Sequence, residues 1–324
     1  MQKNLFKLFA AGGIAAGIGM ILPASAATQA DYPNKPITLI VPYSAGGTTD
    51  QAARALAENL SRQLKQPVVI ENKPGAGASM GVTEMLKASP DGYRLTLTPA
   101  AIFRQPHLQP VRYDPVRDLT YIAAFLEYDF FVTVPVDSPF KSVKDIVDYA
   151  KRNPGIVNYG TSGRFSGNHT VMAMLSNKYG VKFTHVPFKG DADSINSLLG
   201  GHLKMAMIAN GVLPFMQSGR VHVLASAGDV ENPIFKVPTL KALGYDVTVP
   251  SPLGIAGPKG LPNPIVEKLE RAVKRALDDP GFKKLMDSNG VRSLYMDSEA
   301  YSRFARKAFV DEEKIVKNLG METD

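Results

Sequence analysis

Ser44, Thr48 and Thr49 place three hydroxyls around Gly46-Gly47, just ahead of the carboxylate of Asp50. Hydroxyls can donate to an anion, and glycine lets a ligand come close to the backbone. The apolar, β-branched run Ile37–Val41 precedes this stretch, fenced by Pro36 and Pro42, and reads as a buried strand. Ala52, Ala53, Leu56, Ala57, Leu60 and Leu64 come after it at helical spacing. The hydroxyls therefore sit on a turn that leaves a strand and opens a helix. There the first N–H groups have no partner within the helix and face outward at its positive end. Two readings stand at this point: a capped helix start with nothing bound, or a grip for an anion formed by Tyr43, Ser44, Gly46, Gly47, Thr48, Thr49 and Asp50. Asp50 itself is expected to pair with Arg54 four residues on, as an acid in a first helical turn, and not to act as a general base.

The elements that must position this turn repeat one theme. Val68–Ile70 is a second strand, followed by a glycine-rich loop containing Ala76, Gly77 and Ala78. Tyr93–Leu97 alternates as a third and runs into the turn Thr98-Pro99-Ala100-Ala101. Strands joined by crossover helices imply a mainly parallel sheet, with ligand loops beyond the carboxyl ends of its strands. Three such loops on one rim favour the anion reading, with Thr98 and Ala100 added to it. Near Leu126 to Pro135 the chain is expected to change lobe, Phe130–Val134 being an apolar strand. The theme then restarts. Val157–Tyr159 leads to Thr161, Ser162, Ser166, Asn168 and His169; Val181–Val186 leads to Phe188 and Lys189, with a helix from Asp193. Leu203–Ile208 ends at Asn210. Lys189 either pairs with a ligand carboxylate or is simply solvated. Leu253–Ala256 is expected to return to the first lobe, and the remainder of the chain reads as helices made for packing.

Other chemistries fit poorly. Gly75-Ala76-Gly77 with Gly81 misspaces a dinucleotide fingerprint, and no acid stands where that motif needs one. Gly160-Thr161-Ser162-Gly163 would suggest a nucleophile elbow, but Arg164 breaks the frame. His107, His169, His185, His202 and His222 show no metal-binding spacing, and the absence of cysteine removes thiol catalysis, disulfides and thiolate ligands. Neither a metal nor a cofactor is expected. An exported hydrolase acting through Ser162 or Ser44 stays open as an alternative, and it requires a histidine and an acid within reach of that serine.

The first residues bear on location. Lys3 and Lys7 precede the uncharged stretch Leu8 to Leu22, and Ala24-Ser25-Ala26 suits a signal peptidase, so cleavage is expected after Ala26. The apolar stretch is short for a membrane span and ends at Pro23. The exported product is expected in the periplasm, and with no cysteine it is not a lipoprotein. Both lysines leave with the signal and no acid does, so the formal charge drops from +7 to +5. That balance suits an anionic partner. The charges are scattered, without the basic runs that nucleic-acid binding uses.

Many ordered segments together resemble the Bug-type solute receptors of tripartite tricarboxylate transporters. They are Tyr32–Ile37, Val41–Asp50 with Ala53-Arg54, Glu71–Gly77, Asp91–Tyr93, Asn158–Gly163, His185–Gly190, Leu199–Gly201 and Val237–Leu240. The resemblance implies an α/β type II periplasmic binding protein with two lobes, each a mainly parallel sheet flanked by helices, and the ligand in the cleft between them. It implies lobes of residues 27–128 with 252–324, and 129–251. It further implies no enzymatic activity, hinge closure on a small organic carboxylate, and delivery to membrane permease subunits; a sensor kinase in place of, or beside, the permease remains open. The chain is expected to act as a monomer. One carboxylate would be held by Tyr43–Asp50 and Gly75–Ala78, largely through backbone groups. Specificity would come from Thr161–His169, Phe188–Lys189 and Asn210. The sequence departs from the family pattern at Thr98–Ala101, at Asn168 in place of glutamine, at Phe188 in place of tyrosine, and at Ser251–Gly254, which lacks tryptophan. The expected ligand is therefore a class (dicarboxylate, tricarboxylate, acidic amino acid or aromatic acid) and not a compound.

Overall fold

Short apolar runs bounded by proline or glycine become strands, and the periodic runs after them become helices. The computed structural model describes residues 32–319, and from Pro33 onward the chain forms one compact unit. The expected signal segment, 1–26, lies outside the described residues. β1 (Ile37–Val41) leads to α1 (Thr48–Leu64), β2 (Val68–Asn72) to α2 (Ser79–Met85), and β3 (Arg94–Pro99) to the short α3 (Ala101–Arg104). β4 (Leu119–Glu127) ends this series, and the chain crosses to β5 (Phe130–Pro135). Next come α4 (Val143–Arg152), β6 (Asn158–Thr161), α5 (Gly167–Tyr179), β7 (Thr184–Pro187), α6 (Asp191–Leu199), β8 (Met205–Ala209), α7 (Leu213–Gln217) and β9 (Val221–Ser226). A second crossing brings in β10 (Pro252–Pro258), then α8 (Asn263–Asp278), α9 (Pro280–Ser288), β11 (Arg292–Met296) and α10 (Ser298–Leu319). The last part of the chain is thus helical as expected, except that β11 interrupts it.

Two sheets result, with strand orders β11-β4-β10-β3-β1-β2 and β7-β6-β8-β5-β9. β1 is parallel to β2 and β3, and β6 is parallel to β7 and β8, as the strand–turn–helix rhythm predicts. The sheets as wholes are mixed, not mainly parallel. β10 runs antiparallel between β3 and β4, β11 adds to β4 in the same sense, and β5 runs against both β8 and β9. The cause is the double crossing: a strand that arrives from the other lobe enters from the opposite end. Leu253–Ala256 does return to the first sheet, and all seven residues of β10 are buried. Gly254 is required there, because a Cβ would lie 2.2 Å from the ring of Tyr301 in α10.

Local signals explain the helix limits. Ser142 and Asp145 form a reciprocal capping box at the start of α4. Asp279 ends α8 and caps α9 through the N–H of Phe282 at 2.9 Å. In α8 the buried side chains Ile265, Val266, Leu269, Ala272, Val273 and Ala276 form one stripe, each large aliphatic one contributing about 1.5–3 kcal/mol by leaving water. Two boundaries differ from expectation and matter for the site. β3 continues through Thr98 and Pro99, and α6 begins at Asp191 instead of Asp193. The two crossings are tied where they pass, the N–H of Tyr128 donating to the carbonyl of Ser251 at 3.0 Å.

Candidate binding site

Between the sheets lies a narrow cleft, about 490 Å³ of space when its open mouth is included. Of the sequence-predicted residues, Tyr43, Gly47, Thr48, Thr49, Ala100 and Ser162 line it. Three helices start at its wall: α1 at Thr48, α5 at Gly167 and α6 at Asp191. Each turns the positive end of its dipole toward the same space. The caps of α1 and α6, Gly47 and Gly190, have no side chain to satisfy the first N–H groups, so these donors are left for a ligand. Ser166 caps α5 instead.

The rest of the wall is neutral and largely apolar, with Pro99, Ala101, Tyr128, Phe130, Ala209 and Ser251. Burial pushes the Tyr43 hydroxyl up, and the nearby Asp191 carboxylate adds to the effect. Tyr128 is raised well above its ordinary value by burial, although Thr49 shares a hydrogen bond with it at 2.7 Å. Both phenols stay protonated at any ordinary pH. Asp191 is the exception to this neutrality. One carboxylate oxygen accepts from the N–H of Ala209 at 3.1 Å and the other from the Nδ2 of Asn168 at 3.3 Å. Burial pushes the carboxyl up to about 6, despite the Ala209 N–H and the Thr48 hydroxyl, which favour the ion.

Tyr43 and Ser162 also line a second, outer chamber, together with Ala76, Gly77, Ala78, Phe188 and Lys189. This one, about 1150 Å³ with its open side, carries the cations, Arg164 and Lys189. Around both chambers the lobes touch. The N–H of Ser44 donates to the carbonyl of Lys189 at 3.1 Å and its hydroxyl to Asp193 at 2.8 Å. The N–H of Gly211 donates to the hydroxyl of Thr48 at 2.7 Å.

Comparison with known proteins settles the family. Residues 52–321 match the model of a family described as "Tripartite tricarboxylate transporter family receptor". The chain belongs to that family. A relative from Cupriavidus necator, "UPF0065 protein in gbd 5'region", is 38% identical over 327 residues, 99% of each chain. The solved structure of the periplasmic binding protein BugD is 30% identical, covers 90% of this chain and 100% of its own, and superposes with a TM-score of 0.86. The R. palustris protein Rpa4515, solved with adipate, is 26% identical, covers 90% and 99%, and gives a TM-score of 0.85. The fold is thus the two-lobed α/β fold of periplasmic binding proteins, and members of the family are periplasmic.

A receptor of this family is a binding protein and not an enzyme, and the serines are arranged accordingly. The hydroxyl of Ser162 donates to Asn168 at 3.1 Å and that of Ser44 to Asp193. The histidine nearest in sequence, His169, accepts the N–H of Phe165 at 3.1 Å and stacks on His185, ring centroids 4.0 Å apart.

Several predicted residues of the receptor lie behind the cavity wall. Thr98 belongs to β3, and its hydroxyl meets that of Tyr301 at 2.8 Å. Gly46 lies on the far side of the Gly47–Thr48 turn, beside Ala192. Asp50 pairs with Arg54, as expected, and also takes Asn72 and the N–H of Gly46. Burial works against its charge, yet these donors hold its carboxyl below the usual range. Thr161 bonds to His185 at 2.7 Å, and Ser166 to the carbonyl of Gly163 at the same distance. Asn168 donates to the carbonyl of Met207 at 2.7 Å as well as to Asp191. Asn210 spans from the N–H of Asp129 to the carbonyl of Gly290. Ser44 serves as a tie between lobes. Sequence reasoning missed Asp191 and Tyr128, and reached Ser251 only as a departure from the family pattern. For Asp191 the signal was present: it stands after Gly190 at the end of a turn and opens a helix, the same logic that picked out Thr48. Tyr128 and Ser251 sit on the two crossings, where no periodicity or turn signal marks a binding residue.

Proposed function

We propose that this receptor captures a small organic carboxylate in the inner cavity and delivers it to the membrane subunits of a tripartite tricarboxylate-type transporter. The first lobe would comprise residues 27–128 and 252–324 and the second 129–251. They would bend at the two crossings, and the touching rims would be what the permease recognises. The observation that carries this reading is the convergence of three helix starts, two of them without a side-chain cap, on a cavity whose wall is neutral apart from Asp191. Such a site attracts an anion through backbone donors and dipoles. The adipate bound to Rpa4515 supports a carboxylic acid as the ligand class.

The test is a thermal-shift screen of the purified protein against an organic-acid panel, since a ligand that binds the native state raises the melting temperature. At least one carboxylate is expected to raise it, and Gly47→Asp to abolish that rise by adding a negative charge at the α1 start. A Cβ at Gly47 meets nothing closer than 3.6 Å, so the variant can fold. No response to any carboxylate, or an undiminished response in a folded Gly47→Asp protein, overturns the proposal.

A further inference from the structure

Asp191 is an acid placed in a cavity that otherwise favours anions. It forms hydrogen bonds to Ala209, Asn168 and Thr48. Among the described residues no cation contributes to holding its charge. Tying the rims together does not need a charge; the Thr48 hydroxyl of the facing rim could be met by a single amide oxygen, without the desolvation cost of a carboxylate. A partly buried acid in a cleft, bonded only to neutral donors and with its pKa raised, is a mark of function. What the site lacks is a positive partner, and a ligand can bring one.

The position of Asp191 constrains that ligand. A Cβ on Gly47 would lie 3.7 Å from the Cβ of Asp191, so the uncapped N–H groups of α1 and the Asp191 carboxylate border the same small patch of wall. A carboxylate received by the first and a cation received by the second must therefore sit close together on the ligand. One shared carbon gives that spacing. The wall beyond them, with Tyr43, Ala100, Tyr128 and Phe130, is neutral, and the arginine and lysine lie in the outer chamber.

We infer that the ligand is an α-amino acid with an uncharged side chain, its carboxylate on the α1 start and its ammonium on Asp191. This assignment rests on the reading that the inner cavity holds a carboxylate.

Isothermal titration of the purified protein with matched pairs tests it: L-leucine against 4-methylpentanoate, L-phenylalanine against 3-phenylpropanoate, and L-glutamate against glutarate. At least one neutral amino acid is expected to bind ten-fold or more tightly than its amine-free partner and more tightly than L-glutamate. In Asp191→Asn that preference should shrink to within about two-fold. Tighter binding of the amine-free acids, or an amine preference that survives in folded Asp191→Asn, overturns the inference and leaves the carboxylate reading standing. L-glutamate as the best ligand overturns the uncharged side chain alone. Binding of no acid, amine-bearing or not, overturns both. Should Asp191→Asn fail to fold, the pairs measured on the unaltered protein decide.

Discussion

Arg104 in α3 and Glu312 in α10 form a buried two-point ion pair across 208 residues of sequence, with Nε–Oε2 at 2.7 Å and Nη2–Oε1 at 2.5 Å. The third nitrogen, Nη1, donates to the carbonyl of Phe165 in the opposite lobe at 3.0 Å. Arg104 is wholly buried, so removing its partner leaves a charge with neither water nor counter-ion. Glu312→Gln is expected to cost about 3–5 kcal/mol, while Arg104→Met with Glu312→Leu recovers most of that loss. Urea denaturation of the three proteins is the check. A single variant within about 1 kcal/mol of the parent would show that the pair does not bear on stability.

Ser44 is the point where the rims meet twice, through its N–H and its hydroxyl. Ser44→Ala removes the hydroxyl bond to Asp193, worth about 1 kcal/mol, from the touching arrangement alone. Ligand affinity is expected to fall roughly five-fold, with the melting temperature of the free protein little changed. Titration with the best ligand of the acid panel measures this, and unaltered affinity would mean that this contact does not help hold the rims together.

Much of this architecture was legible because local signals and tertiary packing agree. Ile37–Val41 and Leu203–Ile208 lie in or near strands for the reasons their composition gives, and Ser142 with Asp145 caps α4 as its spacing predicts. The glycine turn at Gly47 does open onto the cavity. What failed was direction. Thr98 and Thr161 stand at strand ends near the rim, but a one-residue step reverses the face of a strand, and their hydroxyls turn inward to Tyr301 and His185. The mixed sheets were hidden for a different reason: antiparallel entry by β5 and β10 depends on the route of long crossings, which local periodicity does not encode. Asn168 belongs to the specificity segment Thr161–His169 that the resemblance implies; its partners Met207 and Asp191 are distant in sequence and set by the fold.

Gly77 separates backbone tolerance from site chemistry. Its φ is +56°, and a Cβ there would stand 1.9 Å from Nε2 of Gln105 and 2.5 Å from the carbonyl of Arg164 in the facing lobe. The Gln105 side chain can move, but the Arg164 backbone yields only if the lobes part. Gly77→Ala is expected to hold the rims open, lower ligand affinity more than ten-fold and lower the melting temperature by a few degrees, about 1 kcal/mol of left-handed strain. Small-angle scattering should show a larger radius of gyration for the variant. Equal radii together with equal affinity would contradict the account.

The histidine pair and Asp191 should give opposite pH dependences of stability. Burial, then the neighbouring His185, lowers His169 to about 2; burial, then Arg164, lowers His185 to about 4. The unfolded chain titrates its histidines near 6.5, so between 6.5 and about 4 it binds protons that the folded chain refuses. Stability is lost as pH falls through that window, by at most about 1.4 kcal/mol per pH unit for each histidine. Asp191 works in reverse. Its folded value near 6 exceeds the ordinary 3.8, so its contribution is fully present below about 3.8 and lost as pH rises through 6. The titratable groups whose charge couples to it, Tyr43 and Tyr128, stay neutral throughout this range. Calorimetry from pH 4 to pH 8 should therefore show a flatter acid limb for His185→Gln, which keeps a hydrogen-bond partner for Thr161. Asp191→Asn should raise the melting temperature at pH 8 and leave it nearly unchanged at pH 4. A His185→Gln curve parallel to that of the parent, or an Asp191→Asn gain no larger at pH 8 than at pH 4, would rule out these groups as the source of the dependence.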